Sequence, residues 1–246
     1  MVKLSVNLNA VAMLRNRRDV GWPSVTGIAK LVLEAGANGI TIHPRPDERH
    51  IRKSDVYDLK ELLADFPKAE FNIEGYPSEE FLILVNEIKP HQVTFVPDDP
   101  AQATSDHGWD IEADFELLKT SISRMKEHNI RTSLFIDEDP NIPPAAKEVG
   151  ADRVELYTGP YGATMFGSPD CDFHLQRLSI TARAAKAAGL GINGGHDLTL
   201  KNLTAFVKAV PNLSEVSIGH GITSDALIMG FAEAVGRYKA VLNREK

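Results

Sequence analysis

A chain of 246 residues, 43% hydrophobic and 25% charged, can bury a large core and has the balance of an ordinary globular protein. Its formal net charge of −7 excludes broad nucleic-acid binding, which needs a basic face, so any anionic ligand must be held locally. No apolar run is long enough to span a membrane, "MVKLSVNLNA" lacks a secretory pattern, and the single Cys171 can form no internal disulfide, all of which point to the cytoplasm.

In chain order, short β-rich runs alternate with longer amphipathic ones. "KLSVNLN" at 3–9 predicts the first strand, followed by helical spacing over 25–35, and "GITIH" at 39–43 the second, followed by 55–65. "EFNIE" at 70–74 precedes a helix over 79–88, and "QVTFV" at 92–96 precedes one over 112–128. "RTSLFID" at 131–137, "DRVELY" at 152–157, "LGIN" at 190–193 and "EVSIG" at 215–219 complete the strands, with helices expected over 141–149, 171–188, 199–209 and 224–242. Eight strands separated by helices pair in parallel and close, so the expected fold class is α/β, a single (β/α)8 TIM barrel over 1–246 with a few short extra helices in loops.

Punctuation agrees. Ser54, Ser78, and Thr199 or Ser224 are expected helix caps. "EAGAN", "EVGAD" and "KAAGLG" each place a glycine between a helix and the next strand, where a left-handed cap suits it. The connections 97–111 and 157–170 are longer than usual and are the expected functional loops.

Ligands of such a barrel meet the carboxyl ends of its strands. Those ends read Asn7 and Asn9, His43, Glu74, Asp98 and Asp99, Asp137, Glu155 and Tyr157, Asn193 and His196, then Gly219 and His220, whereas the opposite ends carry unremarkable Lys, Gly, Asp and Arg. A strand-end Asp or Glu is often a cap or salt-bridge partner, but Glu74 sits between "FNI" and Gly75 at an uncrowded rim, which suits a catalytic carboxylate. In "GITIHPRPDERHIRK", Pro44 and Pro46 stiffen a loop with Arg45, Arg49, His50 and Arg52, either a solvated charge run or a local anion site. "NGGHDLT" and "IGHGITS" are glycine-rich turns leading into helices after the last two strands, where barrels hold phosphate. Arg15 and Arg18 could serve a second phosphate or cap the surface. A zinc set of His43, His196, His220 and Glu74 has no support from spacing, and the same groups suit proton shuttling without a metal.

"SVNLNAVAMLRNRR", "GITIHPRPDERHIR", "FNIEG", "KPHQVTFVPDD", "SLFID", "VELYTGPYG", "NGGHDLT" and "EVSIGHGI", collinear over nearly the whole chain, resemble the pyridoxine 5′-phosphate synthase family. The resemblance implies a ring-closing condensation of 3-amino-2-oxopropyl phosphate with 1-deoxy-D-xylulose 5-phosphate that releases phosphate and water. It implies no metal or organic cofactor, and a homo-octamer. Position by position it implies His43 and Glu74 as proton acceptors and His196 as proton donor, with Asn7, Asp197 through its backbone, Gly219 and His220 on the aminoketone phosphate. Arg18, Arg45, His50 and Thr104 would bind the sugar phosphate. Two departures stand out: Asn9 and Ala10 replace the family's frequent Asp-His pair, and Asp197 replaces a frequent glycine. A phosphosugar isomerase or a phosphometabolite sensor would also suit such a mouth.

Overall fold

The computed structural model describes residues 1–98 and 104–244. Eight parallel strands close a barrel in sequence order: β1 (Lys3–Asn7), β2 (Gly39–Ile42), β3 (Glu70–Gly75), β4 (Gln92–Phe95), β5 (Arg131–Ile136), β6 (Arg153–Tyr157), β7 (Gly191–Gly195) and β8 (Leu213–Ile218). Closure is the β1–β8 pairing, which sets Lys3 beside Glu215 and Val6 beside Ile218.

The helices are α1 (Asn9–Asn16), α2 (Val25–Glu34), α3 (Lys53–Leu63), α4 (Glu79–Ile88), α5 (Phe115–Glu127), α6 (Ile142–Glu148), α7 (Gly159–Gly162), α8 (Pro169–Ala187), α9 (Leu203–Ala209), α10 (His220–Met229) and α11 (Phe231–Arg244). No helix among the described residues is long and apolar enough to cross a membrane. The short extra helices expected in loops are α1 and α7. The last amphipathic run, expected as one helix over 224–242, is two: Gly230, at φ 84, turns the chain between α10 and α11.

Gly36, Gly150 and Gly189 end α2, α6 and α8 at positive φ. In each case two backbone bonds reach back, as from Ala37 N to Val32 O and from Gly36 N to Leu33 O, the pattern that satisfies the last carbonyls of a helix. Asn129, at φ 56, does the same after α5. Ser78 caps α4 as expected, accepting from Phe81 N at 3.2 Å. The other expected caps are displaced: α3 begins before Ser54, α9 after Thr199 and α10 before Ser224.

Alternation along the strands sorts the barrel wall. Leu4, Val6, Ile40, Ile42, Phe71, Ile73, Leu134, Val154, Leu156 and Val216 are buried and belong to the apolar core beneath the helices. The alternate positions meet one another across the lumen, and they are polar where barrels commonly carry branched apolar residues. Ser5 bonds Thr41 at 2.7 Å, Thr94 donates to Asn72 at 3.1 Å, and Arg153 donates to Asn193 at 3.0 Å. Such a lumen holds together through mutual hydrogen bonding.

The amino end of the lumen is therefore not the plain surface expected from its residues. Glu70 takes Lys3 at 3.2 Å and Arg131 in a second ion pair, and Arg131 also donates to Gln92 at 2.8 Å. Arg15, weighed as a phosphate ligand, is instead buried and bidentate to Asp55 at 2.6 and 2.7 Å, tying α1 to α3.

Candidate active site

A cavity of about 470 Å³ opens at the carboxyl end of the barrel, within the usual range for small-molecule sites. Every residue that the resemblance implied for the site lines it except Arg18: Asn7, His43, Arg45, His50, Glu74, Thr104, His196, Asp197, Gly219 and His220. Asn9, Phe135, Glu155, Ser105 and Ser217 join them.

Arg18 is exposed, its guanidinium 6.0 Å from the Trp22 ring centre, outside this lining. Asn193, expected at the mouth, points into the lumen to Arg153, and Asp137 is occupied in accepting from Gly108 N at 3.0 Å. Asp99 lies outside the described residues. Of the basic loop, only Arg45 and His50 reach this cavity; Arg49 is paired with Asp47 at 2.7 Å.

The carboxylates are set by the walls around them. Asn7 accepts from Asn9 N at 2.9 Å through Oδ1, which fixes its amide so that Nδ2 donates to Glu74 Oε2 at 3.2 Å. Burial raises the Glu74 carboxyl well above its ordinary range, the charges of Glu155 and Asp98 push the same way, and only the Asn7 bond opposes. Glu155 is buried, with Oε2 lacking any hydrogen-bond partner, and burial raises its carboxyl to about 7 despite the attraction of His196. Gly195 makes its seat possible: a Cβ there would lie 2.5 Å from Glu155 Oε1.

Three of the four cavity histidines have distinct partners. Asp98 Oδ2 lies 3.0 Å from His43 Nε2 and 3.3 Å from Arg45 Nη1, and Ser105 donates to Asp98 Oδ1 at 2.7 Å. Burial works upward on Asp98, but His43, Ser105 and Arg45 together hold its carboxyl at about 2. His43 N donates to Asn9 Oδ1 at 2.9 Å, so the Asn9 amide anchors the β2 loop. His50 accepts from Ile51 N at Nδ1, 3.0 Å away, while burial first and then the charges of His43 and Arg45 lower its ring to about 3. That ring is neutral and leaves Nε2–H as a donor. His196 sits edge-on to Tyr157, with ring centres 5.2 Å apart, and Thr104 Oγ1 lies 3.1 Å from its Nε2.

Two glycine-rich anion turns were expected. The one after β8 is present in that form: α10 begins at His220, directly behind Gly219, with no side chain capping its free N–H groups. After β7 the glycines belong to the strand itself, and the left-handed pair His196 and Asp197 precedes a turn before α9.

Several of these residues could not be picked out by residue type. Ser105 has no motif around it, and its role appears only where Asp98 turns back on it. Ser217 and Phe135 stand two positions before Gly219 and Asp137, so carrying the period-two alternation one step down each strand would have found them.

A family model described as pyridoxal phosphate biosynthesis protein PdxJ matches residues 4–244. A pyridoxine 5′-phosphate synthase of Mesorhizobium japonicum is 62% identical over 237 residues, 96% of each chain. Another of Brucella anthropi is 59% identical over 241 residues, 98% of each. Among solved structures, a tryptophan synthase from Mycobacterium tuberculosis aligns with a TM-score of 0.65 at 14% identity, over 98% of this chain and 92% of that one. A thiamine phosphate pyrophosphorylase from Pyrococcus furiosus aligns at 0.62 and 12%, over 99% and 96%. These last two share the fold alone.

Proposed function

The chain belongs to the PdxJ family of pyridoxal phosphate biosynthesis proteins, and from that membership and the geometry of its mouth we propose that it is a pyridoxine 5′-phosphate synthase. It condenses 3-amino-2-oxopropyl phosphate with 1-deoxy-D-xylulose 5-phosphate, releasing inorganic phosphate and water. The observation that carries this reading is the convergence of two proton-holding carboxyls, Glu74 and Glu155, with His43 and His196 on one cavity.

An amine attacking a ketone must lose water to give an imine, and ring closure repeats the demand: a proton leaves carbon or nitrogen while another reaches a departing oxygen. One group cannot do both at once. Glu74 and His43 take protons and His196 gives them, each positioned group being worth roughly 10² to 10⁴ in rate. Burial that raises a carboxyl also makes its ionised form a stronger base, which suits Glu74 to taking a proton. Glu155, on the same cavity and titrating at about 7, supplies negative charge in its ionised form to a cationic imine formed there.

Phosphate is the handle on each substrate. The start of α10, with Gly219 and His220, suits the aminoketone phosphate, helped by Asn7 and the Asp197 backbone. Arg45, the His50 Nε2–H and Thr104 suit the sugar phosphate. Arg18 joins that set by a movement of its loop or by approach in an assembly, and the assembly the family implies is a homo-octamer in the cytoplasm.

Incubating the protein with both substrates, and with each alone, tests the reaction. Pyridoxine phosphate should appear, by absorbance and fluorescence, only from the pair. Conversion of a single sugar phosphate without any pyridine product would replace this reading with an isomerase.

A further inference from the structure

Asp197 is the residue whose presence the backbone does not explain. His196 and Asp197 follow one another at φ 87 and φ 56, in the left-handed region that favours glycine, and a glycine at 197 would sit there without strain. The chain nevertheless carries a side chain at this position and makes space for it. Gly162 in α7 packs so closely that a Cβ on it would lie 2.5 Å from Asp197 Cβ. The backbone on both residues is tied down: Thr158 donates to His196 O, and Asn202 Nδ2 donates to Asp197 O at 3.0 Å.

What this arrangement achieves is a carboxylate against one nitrogen of a cavity histidine. Asp197 Oδ2 lies 2.9 Å from His196 Nδ1, while Nε2, at the other edge of the ring, faces Thr104 and the cavity. The pair is partly exposed, with 43% of the Asp197 side chain and 25% of the His196 side chain accessible, so it adds little to stability. Its effect is orientational. A neutral imidazole in water prefers its proton on Nε2, which would leave the cavity edge unable to take up a new proton after giving one away; a carboxylate at Nδ1 reverses that preference.

We propose that Asp197 is a positioning residue for His196: it accepts the Nδ1 proton and so keeps Nε2 as the nitrogen that gives a proton to the reacting oxygen and takes one back. This rests on the reaction proposed above insofar as His196 is its proton donor. The proton balance is simple, since Nε2–H of the imidazolium passes to the leaving oxygen, the ring remains as the Nδ1–H form bonded to Asp197, and water reprotonates Nε2. Asp197 itself is held ionised, the His196 bond lowering its carboxyl against partial burial, with His220 adding to the effect. Among the described residues, Tyr157 and Glu155 also face the ring.

The glycine variant separates positioning from folding, because glycine suits φ 56 better than aspartate does. Asp197→Gly should fold with an unchanged or higher Tm. Its kcat should fall roughly tenfold to a hundredfold with KM within about threefold. Nitrogen-15 spectra of the His196 ring at a pH where it is neutral should change from mainly Nδ1–H to mainly Nε2–H. Asp197→Asn tolerates the same backbone, but its amide can donate to Nδ1 as well as accept from it, so it should show a mixture of the two tautomers and a kcat between those of Asp197→Gly and the parent. An Nδ1–H ring and a kcat within about twofold of the parent in Asp197→Gly would overturn the proposal. The spectra need no substrate, so they decide the positioning role even if the two-substrate reaction fails.

Discussion

The two ends of one barrel lumen treat the same side chain in opposite ways. At the amino end Glu70 is drawn below its ordinary range: burial works upward, but Arg131 and Lys3 overcome it. At the mouth Glu74 and Glu155 are desolvated more strongly, with no lysine or arginine paired to them among the described residues, and both are raised. Glu215 marks the boundary between these behaviours. It belongs to the amino end, yet burial and then the charge of Glu70 lift it to about 8 against the pull of Arg153. What distinguishes Glu70 from the others is thus a close counterion together with lesser depth: its charge is neutralised locally, whereas the deeper carboxyls of the mouth keep exchangeable protons where ligands enter.

The largest effect that would break this comparison is at Glu74. Glu74→Gln keeps the shape and the Asn7 contact but cannot take a proton, so turnover should drop by roughly 10² to 10⁴. Stability should not fall, since a buried carboxyl without a cation is costly to ionise. Steady-state kinetics and thermal melting on the same sample check this. Near-normal turnover would remove Glu74 from the mechanism, and a large loss of Tm would make it structural like Glu70.

Glu70→Ala should do the reverse. It leaves Arg131 and Lys3 without their shared carboxylate at a largely buried position, a loss of roughly 3 to 4 kcal/mol after allowing for the half-exposed lysine. Because Glu70 is depressed in the folded state, its contribution is present above the unfolded carboxylate pKa and lost as pH falls. Denaturant midpoints should therefore differ most between parent and variant near neutrality and converge in acid, while kcat at saturating substrate stays close to the parent value.

This contrast was only half legible in the sequence. Strand count, glycine caps at Gly36, Gly150 and Gly189, and the polar strand ends all followed from local rules: alternation, backbone sterics and the parallel barrel's habit of keeping ligands at one end. The polar lumen was visible in principle, as Lys, Ser and Asn alternating with Leu and Val in "KLSVNLN", but which face of a strand points inward depends on where the helices pack. The ion pairs escaped for a different reason. Arg131 meets Glu70, and Arg15 meets Asp55, across distances in sequence that only closure of the barrel and packing of α1 on α3 bring together. Likewise the break at Gly230 left no mark in the periodicity, since α10 is apolar with little amphipathic alternation, Leu227 and Ile228 being exposed, and only α11 keeps a regular stripe.

Glu155 gives the finest test, because here the comparison becomes a pH dependence with a sign. Its folded carboxyl titrates at about 7 against an ordinary value of 4.5, so the folded chain binds the extra proton and stability falls as pH rises between those values. Two and a half units correspond to at most about 3 kcal/mol, fully expressed above pH 7 and absent below the unfolded value. Glu155→Gln removes that penalty. The variant should match or trail the parent at pH 4.5, where the parent's carboxyl is already neutral in the fold, and gain on it steadily up to pH 7. A residual decline should persist in the variant towards pH 8, since Glu215 at the other end of the lumen is untouched and releases its proton there. A parent and variant whose urea midpoints differ by the same amount at every pH would show that Glu155 ionises in the fold as easily as in water, and that the mouth neutralises its charges no less completely than the base.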